Sequence, residues 1–199
     1  MTLDRLRPVA NAVLDPFVDA ARRIGLTPNA VSTIAFGVAV VAGFSFLQAG
    51  PWWYLAGAVL VVLNGWLDLL DGALARELAI DTRAGDLLDH VLDRYADLVI
   101  VAGLAGGIGR YGLGFFAVTG VLLTSYLGTQ IEAVGLEREY GGLVGRADRL
   151  AAIGVGAVVA TVSPTVAGYS IVAILLGGLA VVGHLTALQR FFGAWTALR

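Results

Sequence analysis

Asp68-Leu69-Leu70-Asp71-Gly72-Ala73-Leu74-Ala75-Arg76, followed by Gly85-Asp86-Leu87-Leu88-Asp89-His90-Val91-Leu92-Asp93, decides how this chain is read. Its carboxylates stand between two long apolar runs, one from Trp52 to Leu67 and one from Leu98 to Ile108. Ionisable groups inside membrane helices are costly, and they normally face a bundle interior or a watery cavity. Asp68 and Asp71 are spaced i, i+3, and Asp89 and Asp93 i, i+4, so each pair shares a helical face. The short joining segment, 77–83, makes the two helices antiparallel neighbours whose acidic faces can meet. Four converging carboxylates repel one another unless protonated or held by a cation. That points to a metal site with chemistry attached.

Ligands that are all oxygen favour a hard cation, so Mg²⁺ or Mn²⁺ is expected rather than zinc or copper. Four carboxylates leave room for two ions, the arrangement that clamps attacking and leaving oxygens in phosphoryl displacement. Gly72 and Ala75 leave the helix surface bare where a phosphorylated ligand could approach the backbone. Gly85, four residues before Asp89, clears space on the facing helix, and Arg76 would pair with a phosphate oxygen at the membrane surface.

Composition agrees with a membrane setting. The 199 residues are 58% hydrophobic and 14% charged, with a mean hydropathy of +0.82. A soluble domain of this size cannot bury that much apolar surface. The absence of cysteine excludes disulfides, thiolate metal sites and cysteine nucleophiles. All thirteen basic residues are arginine, so a lysine Schiff base is excluded as well. The net charge of −2 says little about partners, and no basic run suggests nucleic acid.

A spanning helix needs about 20 mostly apolar residues. The apolar runs predict six spans, 29–48, 52–70, 89–108, 113–134, 150–162 and 166–188, with the second and third extending toward Leu78 and Gly85. Segment 3–24 mixes apolar and charged positions and reads as an amphipathic interfacial helix, bent near Pro8 or Pro16. The chain thus divides into a juxtamembrane segment, 1–28, and a six-helix transmembrane catalytic domain, 29–199. With six spans, one side collects Arg5, Arg7, Arg22, Arg23, Arg76, Arg83, Arg138, Arg146, Arg149, Arg190 and Arg199, against Arg110 alone opposite. Both termini and the aspartate cluster are therefore expected on the cytoplasmic side of the cell membrane.

Asp68-x2-Asp71-Gly72-x2-Ala75-Arg76-x8-Gly85-x3-Asp89-x3-Asp93 resembles the complete signature of the CDP-alcohol phosphotransferases. The likeness extends to the span count, the amphipathic N-terminal helix and Gly25-Leu26-Thr27-Pro28-Asn29 ahead of the first span. It implies an all-α membrane enzyme of phospholipid biosynthesis, a homodimer, that moves a phosphate-linked group from a CDP-activated lipid to a polar alcohol and releases CMP. By the same resemblance Asp68, Asp71 and Asp89 bind the metals. Asp93 is the general base and touches one metal. Asp68, Gly72, Ala75, Arg76 and Gly85 line the CDP pocket.

Thr82-Arg83-Ala84-Gly85 and Leu92-Asp93-Arg94-Tyr95-Ala96-Asp97 look most like the branch that makes phosphatidylinositol phosphate or its archaeal ether-lipid counterpart, with inositol phosphate as acceptor. Gly141-Gly142-Leu143-Val144-Gly145-Arg146-Ala147-Asp148-Arg149 resembles that branch's loop, which makes Arg146 and Arg149 ligands for an acceptor phosphate or, alternatively, anchors opening the fifth span. That branch carries a lysine and an arginine after a Ser-Tyr pair in its fourth span. Here Ser125-Tyr126 is followed by neutral Leu127, Gly128, Thr129 and Gln130. Glycerol phosphate, serine or inositol are therefore alternative acceptors, and a cation-coupled transporter is the alternative of another class. His90 and His184 read as packing residues, and Asp97 either supports the site, orients Arg94 or pairs across a helix contact.

Overall fold

Thr27 and Pro28 open the first long apolar helix: the Thr27 hydroxyl accepts from the Ala30 amide at 3.2 Å, and Pro28 supplies the fixed φ of a first helical turn. The same punctuation recurs along the computed structural model, which describes residues 7–80, 82–136 and 144–199, with side chains from Val13 onward. Arg5, Arg138 and Gly141-Gly142-Leu143 lie outside the described residues, as does the side chain of Arg7. Helix α1 is Arg7–Arg23, α2 Pro28–Leu47, α3 Pro51–Glu77, α4 Arg83–Gly107, α5 Tyr111–Ala133, α6 Arg146–Val162 and α7 Ile171–Ala197. Thr82 caps α4 by accepting from the Gly85 amide at 3.1 Å, and Ser170 caps α7.

Helices α2 to α7 close into a ring in the order α2-α3-α6-α7-α5-α4, and α1 lies outside against α3. Two seams are bare backbone. A Cβ on Gly103 of α4 would collide with the Gly43 carbonyl of α2. One on Gly183 of α7 would sit 2.8 Å from the Gly120 carbonyl carbon of α5. Membrane helices associate closely at such small residues. Phe46, Tyr54, Ile100, Leu104 and Leu176 fill the ring, while Leu14, Val18 and Ala21 seat α1 on Val31, Leu70 and Leu74. Outward-facing apolar side chains such as Val62, Phe115, Val155 and Val181 are exposed, as expected of a surface that meets lipid.

This is an all-helical membrane protein. Among the described helices α2, α3, α5 and α7 are long and apolar enough to cross a bilayer. Helix α4 carries Asp86, Asp89, Asp93, Arg94 and Asp97, and α6 has 17 residues, about 26 Å, somewhat less than a hydrocarbon core. Helix α1 runs through Pro16 without a break in its assignment. The sixth predicted run, 166–188, needs correction at its start. Thr165–Val166 and Tyr169–Ser170 form a two-stranded hairpin around Ala167 and Gly168, both at positive φ, and α7 begins only at Ile171.

Candidate active site

The up-and-down order of the ring brings the starts of α2, α4 and α6 together with the ends of α3, α5 and α7. The polar side chains of the molecule gather at that end. Asp68 and Asp71 project from α3 and Asp89 from α4, and one carboxylate oxygen from each lies within 4.8 Å of the others. Asp71 is buried, and the Ser32 hydroxyl of α2 donates to its Oδ2 at 2.7 Å. Three carboxylates so close, with no basic partner for Asp71 or Asp89 among the described ion pairs, fit a hard divalent cation. Asp93, expected as a metal ligand too, stands outside this trio. Its Oδ1 is 2.8 Å from Arg146 Nη2, and its Oδ2 is 3.5 Å from Arg94. Arg146 also reaches Asp68, Nη1 to Oδ1, at 2.6 Å.

On one side of the trio a cleft of about 390 Å³ opens between α2, α3 and α4. Gly72, Ala75 and Gly85, expected to contact the nucleotide, line it with Asp71 and Asp89. Asp68 and Arg76, expected there too, are not among its lining residues, though Arg76 Nη1 is 3.5 Å from where a Cβ on Gly72 would lie. Gly85 sits tightly, since a Cβ there would lie 3.0 Å from both Asn29 Oδ1 and Thr82 Oγ1. Asn29, Ser32 and Thr82 supply the polar wall of this cleft. Sequence reasoning missed them as site residues, although Asn29 stood in the stretch ahead of the first span and Thr82 beside Gly85 in the quoted motifs.

On the other side lies a cavity of about 730 Å³. Asp93 and His90 border it, and four arginines converge on it: Arg94 from α4, Arg146 and Arg149 from α6, and Arg190 from α7. Arg190 donates to the Thr124 carbonyl of α5 at 2.7 Å, and Arg94 donates to the Ser125 hydroxyl. Thr124 in turn donates across the α5–α7 seam to the Gly183 carbonyl at 2.9 Å. The neutral run Leu127 to Gln130 on α5 is thus compensated by cations from three other helices. Arg190 was missed as a site residue, because it reads in sequence as a flank of the last apolar run.

The remaining candidates fall into lesser positions. His90 Nδ1 lies 2.7 Å from the Asp86 carbonyl oxygen. His184, half-buried, is 3.4 Å from Thr119 Oγ1 and packs against Gly120.

Fold and site together define a helical membrane protein with an acidic trio at the edge of one cleft and, beyond Asp93, an arginine-lined cavity. Known proteins agree. Residues 25–195 match the CDP-alcohol phosphatidyltransferase family. Archaetidylinositol phosphate synthase of Methanothermobacter thermautotrophicus is 32% identical over 204 residues, covering 99% of this chain and 96% of the relative. The crystal structure of Mycobacterium tuberculosis phosphatidylinositol phosphate synthase with CDP-DAG bound superimposes with a TM-score of 0.80 at 30% identity, over 93% of this chain and 94% of that one. The same enzyme in complex with manganese and citrate gives 0.80 at 30%, over 92% and 89%. The chain belongs to the CDP-alcohol phosphatidyltransferase family, and it is a transferase of phospholipid biosynthesis. The transporter alternative falls with that membership.

Proposed function

We propose that this enzyme transfers a lipid phosphate group from a CDP-activated lipid, ester or ether, to inositol phosphate and releases CMP. One observation carries the choice of a phosphorylated acceptor: the cavity beside Asp93 is lined by Arg94, Arg146, Arg149 and Arg190. A free alcohol such as inositol or serine needs no such charge. An acceptor with its own phosphate supplies the anion that four guanidinium groups require. The printed names of the relatives, phosphatidylinositol and archaetidylinositol phosphate synthases, support the same acceptor.

The donor's CDP head fits the cleft, with Gly72, Ala75 and Gly85 admitting it and Arg76 and Asp68 beside it. Asp68, Asp71 and Asp89, with Asp93 at the margin, would hold Mg²⁺ or Mn²⁺, two ions in this reading. When bound, these ions neutralise the diphosphate and stabilise the departing CMP. Asp93 accepts the proton of the acceptor hydroxyl. That oxygen then bonds to the lipid-side phosphorus as the bond from that phosphorus to the CMP oxygen breaks. Arg146 orients the Asp93 carboxylate, while Arg149 and Arg190 hold the acceptor phosphate.

The arginine asymmetry favours six spans, α2 to α7, in the cell membrane, with both termini and the site cytoplasmic and α1 lying at the interface. On this reading residues 1–28 are the juxtamembrane segment, residues 29–199 form the catalytic domain, and the enzyme works as a homodimer. The test is CMP release by purified protein with Mg²⁺ and CDP-lipid, comparing inositol phosphate, glycerol phosphate, serine and inositol. Turnover with inositol phosphate is expected. Turnover confined to glycerol phosphate or to an unphosphorylated acceptor would overturn the assignment.

A further inference from the structure

Asp97 stands behind the arginine-lined cavity and does not line it. Its carboxylate is 5% exposed. One side faces apolar Ile100, Val101, Val121 and Leu150. The other faces three guanidinium groups. Arg149 Nη2 donates to Oδ2 at 2.9 Å, Arg94 Nη1 is 3.7 Å from Oδ2, and Arg146 Nε is 3.7 Å from Oδ1. One carboxylate thus serves three cations from two helices, all three of which reach the cavity. Two donors are left over: Arg94 Nε and Arg146 Nε are buried without a hydrogen-bond partner among the described residues.

We propose that Asp97 is a positioning residue for the acceptor phosphate. It touches neither substrate. It fixes Arg149, and through charge Arg94, so that their donors converge before the phosphate arrives, and it holds Arg146 where that residue orients Asp93. Arginine side chains carry large rotamer freedom, and holding them in advance removes an ordering cost from binding. A buried ion pair that only closed two helices would need one arginine. Asp97 collects three, and all three are among the four of the cavity. The inference rests on the phosphorylated-acceptor reading above and assigns that site a residue outside the family signature.

The experiment compares wild type, Asp97→Asn and Asp97→Glu for binding of inorganic phosphate and of inositol phosphate in detergent, and for the KM of each substrate. Asp97→Asn is expected to weaken both phosphate ligands roughly tenfold to a hundredfold, as loss of an orienting partner does at other preorganised sites. The KM for CDP-lipid should stay within about twofold, since Asp97 does not line the cleft and stands about two turns along α4 beyond Asp89. Asp97→Glu keeps the charge and should recover part of the loss. Breaking a buried pair can unfold a chain. If Asp97→Asn fails to fold, Asp97→Glu decides, with a smaller loss in the same direction. A folded variant with unchanged phosphate affinity, or an equal rise in both KM values, would overturn the proposal. Wild type that binds no phosphate would overturn it too. Wild type that binds phosphate yet transfers nothing to inositol phosphate would sink the acceptor assignment alone, with the Asp97 comparison still readable by binding.

Discussion

Arg146 reaches across from α6 to Asp93 on α4, its Nη2 2.8 Å from the carboxylate Oδ1, while its other terminal nitrogen lies 2.6 Å from Asp68. One guanidinium thus ties the proton acceptor to the edge of the acidic trio. Only a planar fork can hold two carboxylates in this way, and a lysine ammonium cannot reproduce it. Arg146→Lys should therefore lower kcat by roughly tenfold to a hundredfold, because a misplaced catalytic group costs on that order. Binding of CDP-lipid should be retained. Steady-state kinetics with a donor-binding assay check both.

Ser32 tests the trio from its far side. Its hydroxyl is the one side-chain donor to buried Asp71 among the described hydrogen bonds. A hydrogen bond to a charged group contributes about 1.5–3 kcal/mol, so Ser32→Ala should raise the metal concentration for half-maximal activity roughly tenfold. Activity at saturating Mg²⁺ should change little. A metal titration of CMP release measures it.

Gly85 should tolerate no larger side chain. The added Cβ of Gly85→Val meets Asn29 and Thr82 at 3.0 Å, and the rest of the side chain enters the cleft. Overpacking of this kind costs about 1–3 kcal/mol, which predicts a donor KM raised by roughly tenfold or more with the acceptor KM unmoved. Kinetics at fixed acceptor will read the split.

Arg190 gives the opposite split. Removing its charge in Arg190→Gln takes away a strong donor to the acceptor phosphate and should raise the acceptor KM roughly tenfold or more, leaving the donor KM unaltered. Equal effects on both substrates would mean that Arg190 serves only the α5–α7 seam, through its bond to Thr124.

Chelation should abolish turnover without unfolding the bundle. The trio sits at one end of the ring, whereas stability resides in clusters such as Phe46, Tyr54, Ile100 and Leu176. Far-ultraviolet circular dichroism should be unchanged by EDTA, and Mg²⁺ or Mn²⁺ should restore activity.

These contrasts also mark what the chain reveals without coordinates. Asp68, Asp71, Asp89 and Asp93 were legible because helical spacing puts each pair on one face, and because carboxylates among apolar runs need a reason. Gly72, Ala75 and Gly85 came with them. Asn29, Ser32 and Arg190 were not legible, because they enter the site by the closing of the ring, across seams such as Gly43–Gly103 and Gly120–Gly183, and no local pattern encodes that. The hairpin at Thr165 was hidden by β-branched residues that extend the apolar run on either side of Ala167-Gly168. Asp97 could be seen as unusual, but its partners could not be named until α6 was set beside α4.

The most direct test of the central claim is a competition. Purified enzyme, CDP-lipid and Mg²⁺ would be given inositol phosphate, glycerol phosphate, serine and inositol at equal concentration, and the lipid products weighed by mass spectrometry. The arginine-lined cavity predicts a product that is predominantly the lipid-linked inositol phosphate, lost when Asp93→Asn replaces the base. A product made chiefly from serine or free inositol would contradict the account, because the four arginines would then face a zwitterion or a neutral polyol in place of a phosphate.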